Sequence, residues 1–137
     1  MKIVVDTNVL ISAFLTEGTS KDVLDVVLSK GFCVLSGYIL EEFRETLGSK
    51  KFDYPKAVIE GFVGYLSKYS ALTDEDPKIQ VKCPDPDDHK ILALCQTVNA
   101  DLLITGDAQL LAMERTGATL IIRPNQFWEA ITKIQKS

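Results

Sequence analysis

The chain has one histidine, His89, and three cysteines, Cys33, Cys83 and Cys95. A single histidine argues against a Ser-His-Asp or Cys-His nucleophilic set. The thiols are odd in number and lack metal-ligand spacing, and two of them sit inside apolar runs. They read as reduced small hydrophobes, which excludes a structural zinc or a disulfide frame. No apolar run is long enough to span a bilayer, and Met1-Lys2-Ile3-Val4-Val5-Asp6 reaches a carboxylate too soon for a signal-peptide core. A soluble protein of the cytoplasm, with no membrane partner, is expected. Positive charge is also in short supply, with 15 Lys and Arg against 19 Asp and Glu and a formal charge of −4. That argues against holding nucleic acid by a general basic field. It leaves room for a nuclease, because carboxylates that bind Mg2+ are themselves negative and the metal then meets the phosphate.

What is present is a chain of 137 residues, 46% hydrophobic, without repeats, linkers or low-complexity stretches. The whole span 1–137 is expected to form a single domain with a real core. Strand-like runs alternate with segments of helical period, the pattern of a parallel sheet covered by helices on both faces. Lys2 to Val5 is the expected first strand, after which Thr7 can cap a short helix through Leu15. A helix from Lys21 to Lys30 stops at Gly31, and Phe32 to Ser36 follows as the second strand. Tyr38 to Leu47 carries Ile39, Leu40, Phe43 and Leu47 on one side. Pro55 opens a helix to about Tyr69 whose apolar face is wider than one sheet requires, leaving part of it for another subunit. Lys78 to Val81 is the expected third strand, Asp85 or Pro86 to Asn99 a helix, and Asp101 to Thr105 the fourth strand. A short helix from Ala108 to Arg115 ended by Gly117, a fifth strand from Thr119 to Ile122, and a last helix with Phe127, Trp128 and Ile131 complete the expectation.

Asp6, Glu42, Asp88 and Asp107 fall where strand-like runs give way to helices. In an open parallel sheet the crevice lies at the carboxyl ends of the strands. Asp6 follows the first strand and Asp107 the fourth, neighbours in the order 3-2-1-4, so right-handed crossovers leave both at one edge. Asp88 points to the same edge from the first turn of its helix. Asp85 and Asp87 are explained by capping, and capping is the alternative at Asp88 as well. Helical phase selects Glu42 over Glu41 and Glu45, because it borders the buried face; a solvated surface Glu is the alternative there. Asp6 could serve only as a turn residue. The conjunction carries the argument: carboxylates packed together raise one another's pKa, and a bound cation resolves the repulsion.

These segments resemble the PIN domain, and more closely its VapC-type toxin ribonucleases. Asp6-Thr7-Asn8-Val9-Leu10-Ile11-Ser12-Ala13 is similar to that branch's opening motif, and Ser36-Gly37-Tyr38-Ile39-Leu40-Glu41-Glu42-Phe43 to its second. Asp85-Pro86-Asp87-Asp88-His89-Lys90-Ile91-Leu92-Ala93-Leu94 is similar to the third, and Ala100-Asp101-Leu102-Leu103-Ile104-Thr105-Gly106-Asp107 to the fourth. His89 stands where the branch often has Asn, and Cys95 where a small Ala is usual. The resemblance implies an α/β, three-layer, doubly wound five-stranded parallel sheet in the order 3-2-1-4-5. It also implies Mg2+ or Mn2+ in the acidic pocket, single-stranded RNA as substrate, an antitoxin partner and a homodimer.

The expected reaction is hydrolysis of a phosphodiester bond by water activated on one or two metal ions held by Asp6, Asp88, Asp107 and Glu42. Asn8 and Thr105 are candidates to support these ligands from behind. Arg44, Lys50, Lys51 and Lys56 cluster after the Glu42 helix and are candidate RNA contacts, with a solvated loop as the alternative. Other α/β classes fit less well. A phosphoaspartyl phosphatase would want an acid where Asn8 stands, a nucleotide-binding domain a glycine-rich loop after the first strand, and a receiver domain a Lys where Arg123-Pro124 follows Ile122. A PIN fold that binds RNA or protein without turnover is the alternative from another class.

Overall fold

The computed structural model describes residues 1–136. Three runs of three apolar residues, β1 (Ile3–Val5), β2 (Cys33–Leu35) and β4 (Leu102–Ile104), are buried at every position. Side chains alternate between sheet faces, so burial of consecutive residues means that both faces are covered. With β3 (Ala71–Leu72), β5 (Arg115–Thr116) and β6 (Thr119–Ile122) they form one six-stranded sheet in the order β3-β2-β1-β4-β6-β5. Every pairing is parallel except β5 with β6. Among the described residues seven α-helices accompany the sheet: α1 (Thr7–Leu15), α2 (Thr19–Ser29), α3 (Gly37–Gly48), α4 (Lys56–Tyr69), α5 (His89–Val98), α6 (Ala108–Met113) and α7 (Phe127–Lys136). α1 packs on α2 and α3, and α3 on α4. Phe14 seats this group by meeting Phe43 edge-on at 5.6 Å and Phe62 at 4.6 Å between ring centroids. All three cysteines are free thiols.

Four expectations are corrected. The third strand is Ala71–Leu72, paired with Val34 and Leu35, and not Lys78 to Val81. In the latter segment Asp76 turns the chain: its carboxylate accepts from Lys78 N at 2.9 Å and its carbonyl from Ile79 N at 3.1 Å. Val81 N then donates to His89 Nε2 rather than to a strand. The sheet is also mixed with six strands, not purely parallel with five, although its five parallel strands follow the expected order. α6 stops at Met113 because Glu114 takes a left-handed φ of 64°, and Arg115–Thr116 folds back on β6. Gly117 makes this hairpin possible with a φ of +57°, and a Cβ there would lie 3.3 Å from Gln96 Cγ. The expected helix start at Asp85 or Pro86 is a 3-10 turn, Pro86–Asp88, that leads into α5. Among the described residues no helix is long and apolar enough to cross a membrane.

Candidate active site

The carboxyl edge of the sheet is built by the ends of β1 and β4. Asp6 N donates to Ile104 O at 2.9 Å, and Thr105 N to Ile122 O at 2.9 Å, so pairing continues one residue past each strand. Asp6 then caps α1, its Oδ1 accepting from Thr7 N at 2.8 Å. Thr7, expected as the cap, is the first helical residue, and its hydroxyl instead donates to Glu42 Oε1 at 3.0 Å. Glu42 also accepts from the Tyr38 hydroxyl at 3.3 Å, one turn back on α3. Asp107 caps α6 by accepting from Gln109 N and Leu110 N at 2.8 and 3.3 Å.

Thr105 joins the two central acids. Its hydroxyl donates to Asp6 Oδ2 at 2.7 Å and accepts from Asp107 N at 3.0 Å. Asp88 stands apart from this pattern. The capping bond of its turn is made by Asp85, whose Oδ1 accepts from Asp87 N at 3.0 Å, and Asp88 makes none. Its Oδ2 is buried with no hydrogen-bond partner.

Asp6, Glu42, Asp88 and Asp107 line one cavity of about 180 Å3, together with Asn8 and Asp87. No Lys or Arg among the described residues pairs with any of the four. Burial pushes the Asp88 carboxyl up to about 6, helped by the charges of Asp107, Asp85 and Asp6. Burial also raises Asp6 above its ordinary value, against the hydrogen bonds from Thr105 and Thr7 and with the charges of Glu42 and Asp107. Tyr38 is pushed up to about 12 by burial and then by Glu42, so its hydroxyl remains a donor.

A hard divalent cation suits this donor set, which offers only oxygens. The orphaned Asp88 Oδ2 and the raised carboxyls are features that such a cation would relieve. As the side chains stand, no three Asp, Glu, His or Cys among the described residues surround a point closely enough to hold an ion, so sharing one requires carboxylates to rotate.

A family model described as PIN domain matches residues 2–109. The chain belongs to the PIN domain family. This PIN domain is similar in structure to a chain of VapBC2 from Rickettsia felis, solved bound to a DNA fragment from its promoter, with a TM-score of 0.63 and 16% identity. The match covers 88% of this chain and 97% of that one, and at such identity the likeness is one of fold. No curated protein matches the sequence.

In this PIN domain Asn8 faces the cavity, while Thr105 reaches it only through the acids it bonds. The four cations singled out from the sequence do not line it. Arg44 is held by Glu60 at 3.0 Å and Glu41 at 3.5 Å, and it shares a separate cavity with Lys56 and Glu60. Lys50 and Lys51 are exposed on the turn after α3. Thr7 and Asp87, read from the sequence as capping residues, and Tyr38 and Thr46, not singled out there, also line the acidic cavity. Tyr38 carried a signal, since it lies four residues before Glu42 and therefore on the same helix face. Thr7 carried one too, but its position suggested a cap.

Proposed function

We propose that this PIN domain is a metal-dependent ribonuclease that hydrolyses phosphodiester bonds in single-stranded RNA, acting as the toxin of a toxin–antitoxin pair. The observation that carries the reading is the convergence of Asp6, Glu42, Asp88 and Asp107 on one cavity without a cation. Family membership supports it, because PIN domains are generally nucleases and typically use divalent metals. Asp6, Asp88 and Asp107, with Glu42 directly or through water, would hold one or two Mg2+ or Mn2+ ions. The bound metal supplies a Lewis acid and an activated water at neutral pH.

The chain's own groups set the positions. Thr105 fixes one oxygen of Asp6 and the backbone of Asp107, so the two acids keep a common origin. Thr7 and Tyr38 each hold one oxygen of Glu42. With both oxygens already engaged, Glu42 is better suited to orient a water than to turn freely toward a metal. The partner reading, an antitoxin, draws support from the VapBC2 complex as a structural relative. A homodimer fits α4, where Val58, Tyr65 and Tyr69 remain 39%, 46% and 43% exposed. The same reading places the protein in the cytoplasm as one domain.

Incubation of the pure protein with single-stranded RNA, with Mn2+ and then with excess chelator, tests the proposal. Cleavage that appears with Mn2+ and stops with chelator is expected. RNA binding without cleavage in any metal would select the non-catalytic module instead.

Lys50 and Lys51 are proposed to touch the RNA backbone at a distance from the cavity. Replacing both by Ala should flatten the salt dependence of RNA binding by up to about 0.7 in log-log slope per lost phosphate contact. An unchanged slope returns them to the solvated turn.

A further inference from the structure

A second cavity adjoins the acidic one, with a volume of about 540 Å3 and a wall of Val81, Lys82, Cys83, Pro86, His89 and Lys90. The two share the Pro86–Asp88 turn, which gives Pro86 to this cavity and Asp87 and Asp88 to its neighbour. Their chemistry is opposite. Lys82 and Lys90 are exposed, and neither has a carboxylate within ion-pair distance among the described residues, although Asp85, Asp87 and Asp88 lie on the connecting segment.

Tyr38 forms the partition. Its ring carries Lys90 Nζ at 4.9 Å from the centroid, and its hydroxyl donates to Glu42 Oε2 at 3.3 Å and to Asp87 O at 3.5 Å. Lys90 is therefore a cation poised over a wall of the acidic cavity, held by a ring and not by a counter-charge. The rest of the second cavity is largely apolar. His89 Nε2 accepts from Val81 N at 3.3 Å, which fixes the imidazole plane beside Val81 and Pro86.

We propose that this cavity receives the nucleotide next to the scissile bond of a single-stranded RNA. Lys82 and Lys90 meet the flanking phosphate, while Val81, Pro86 and the His89 ring take the base or ribose. This rests on the ribonuclease reading. Two unpaired ammonium groups recognise phosphate, and an apolar and aromatic wall suits a base that is not stacked in a duplex. The location follows from charge: the metal can neutralise the scissile phosphate, but the next phosphate along the strand needs its own cation, and a chain of net charge −4 must place one locally.

The test uses the full chain with Lys82→Ala and Lys90→Ala together, and Lys90→Arg alone. Binding of a short fluorescent RNA is measured in chelator across a salt series, and cleavage is then followed with Mn2+. The double variant is expected to lose up to about 1.4 from the log-log salt slope, two contacts at about 0.7 each. Its KM should rise about tenfold with kcat nearly unchanged, the signature of lost uniform binding. Lys90→Arg should keep the parent's slope and KM, and an unaltered melting temperature in both variants shows an intact fold. A salt slope and KM equal to the parent's would overturn the proposal and leave the ribonuclease reading standing. A parent that never cleaves overturns that reading, while the chelator isotherms still decide separately whether the lysines bind RNA.

Discussion

Asp6→Asn is expected to reduce Mn2+-dependent turnover of single-stranded RNA by roughly three orders of magnitude or more, with the fold intact. Asn is as good a helix cap as Asp, so the bond from Thr7 N can persist. The amide would present N–H to the Thr105 hydroxyl, which has a second lone pair beyond the one facing Asp107 N and can rotate to accept. Burial already disfavours the charged form of Asp6 in the parent, so a neutral isostere relieves a cost in the metal-free protein. What the amide cannot supply is the negative charge that holds a divalent ion. Single-turnover cleavage and a thermal melt in chelator, run on one preparation, check both halves. Cleavage that survives the substitution and the chelator alike would assign the activity to a contaminating nuclease.

Asp88→Asn should separate metal binding from stability. At ~100 times its dissociation constant, Mn2+ should stabilise the parent by roughly 2.7 kcal/mol. The variant should show a much smaller melting shift and little cleavage, yet be at least as stable as the parent in chelator, because a crowded charge has gone. The pH dependence has a definite sign. With its pKa raised to about 6 from 3.8, the folded Asp88 holds a proton that the unfolded chain has released between those values. Its contribution to metal-free stability is full below about 3.8 and is lost as pH rises to about 6. Metal affinity runs the other way, since the ion needs the carboxylate, so the Mn2+ shift should grow with pH and level off above about 6. Calorimetry of parent and variant across that window, with and without Mn2+, reads both trends. A modest loss of stability with a full Mn2+ shift and normal cleavage would remove Asp88 from the site.

The parts of the fold that could be read in advance were those whose burial is written in consecutive residues. Ile3–Val5, Cys33–Leu35 and Leu102–Ile104 are apolar throughout because both sheet faces are covered, and β6 lies where its apolar run suggested. β3 escaped notice because it is two exposed residues at the sheet edge, paired on one side only, so no burial pattern marks it. β5 escaped because Arg115 and Thr116 continue the period of α6, and the break depends on the positive φ of Glu114, a residue type with no preference for it. The meeting of Asp6, Asp88 and Asp107 was legible because each stands at the start of a helix, and Glu42 because its phase on α3 borders the buried face. The hydroxyls were harder to read. Thr7 sits where a capping residue would, and its bond to Glu42 spans 35 positions, so no local pattern could reveal it. The cations proposed for RNA stand away from the acidic cavity, because proximity in sequence after α3 says nothing about distance from a cavity opened by other elements.

The Thr105 bond to Asp6 joins residues 99 positions apart, and β4 is the strand that seats itself beside β1 to make it. During synthesis Asp6 and Glu42 emerge well before Asp107, which arrives with Thr105 directly after β4. Until β4 has docked, Asp6 lacks its hydroxyl partner and the cavity lacks a wall. A ribosome-bound chain therefore carries no complete acidic cavity until the residues through Asp107 have been made. On the ribonuclease reading proposed above, this order of assembly postpones the hazard until β4 has docked.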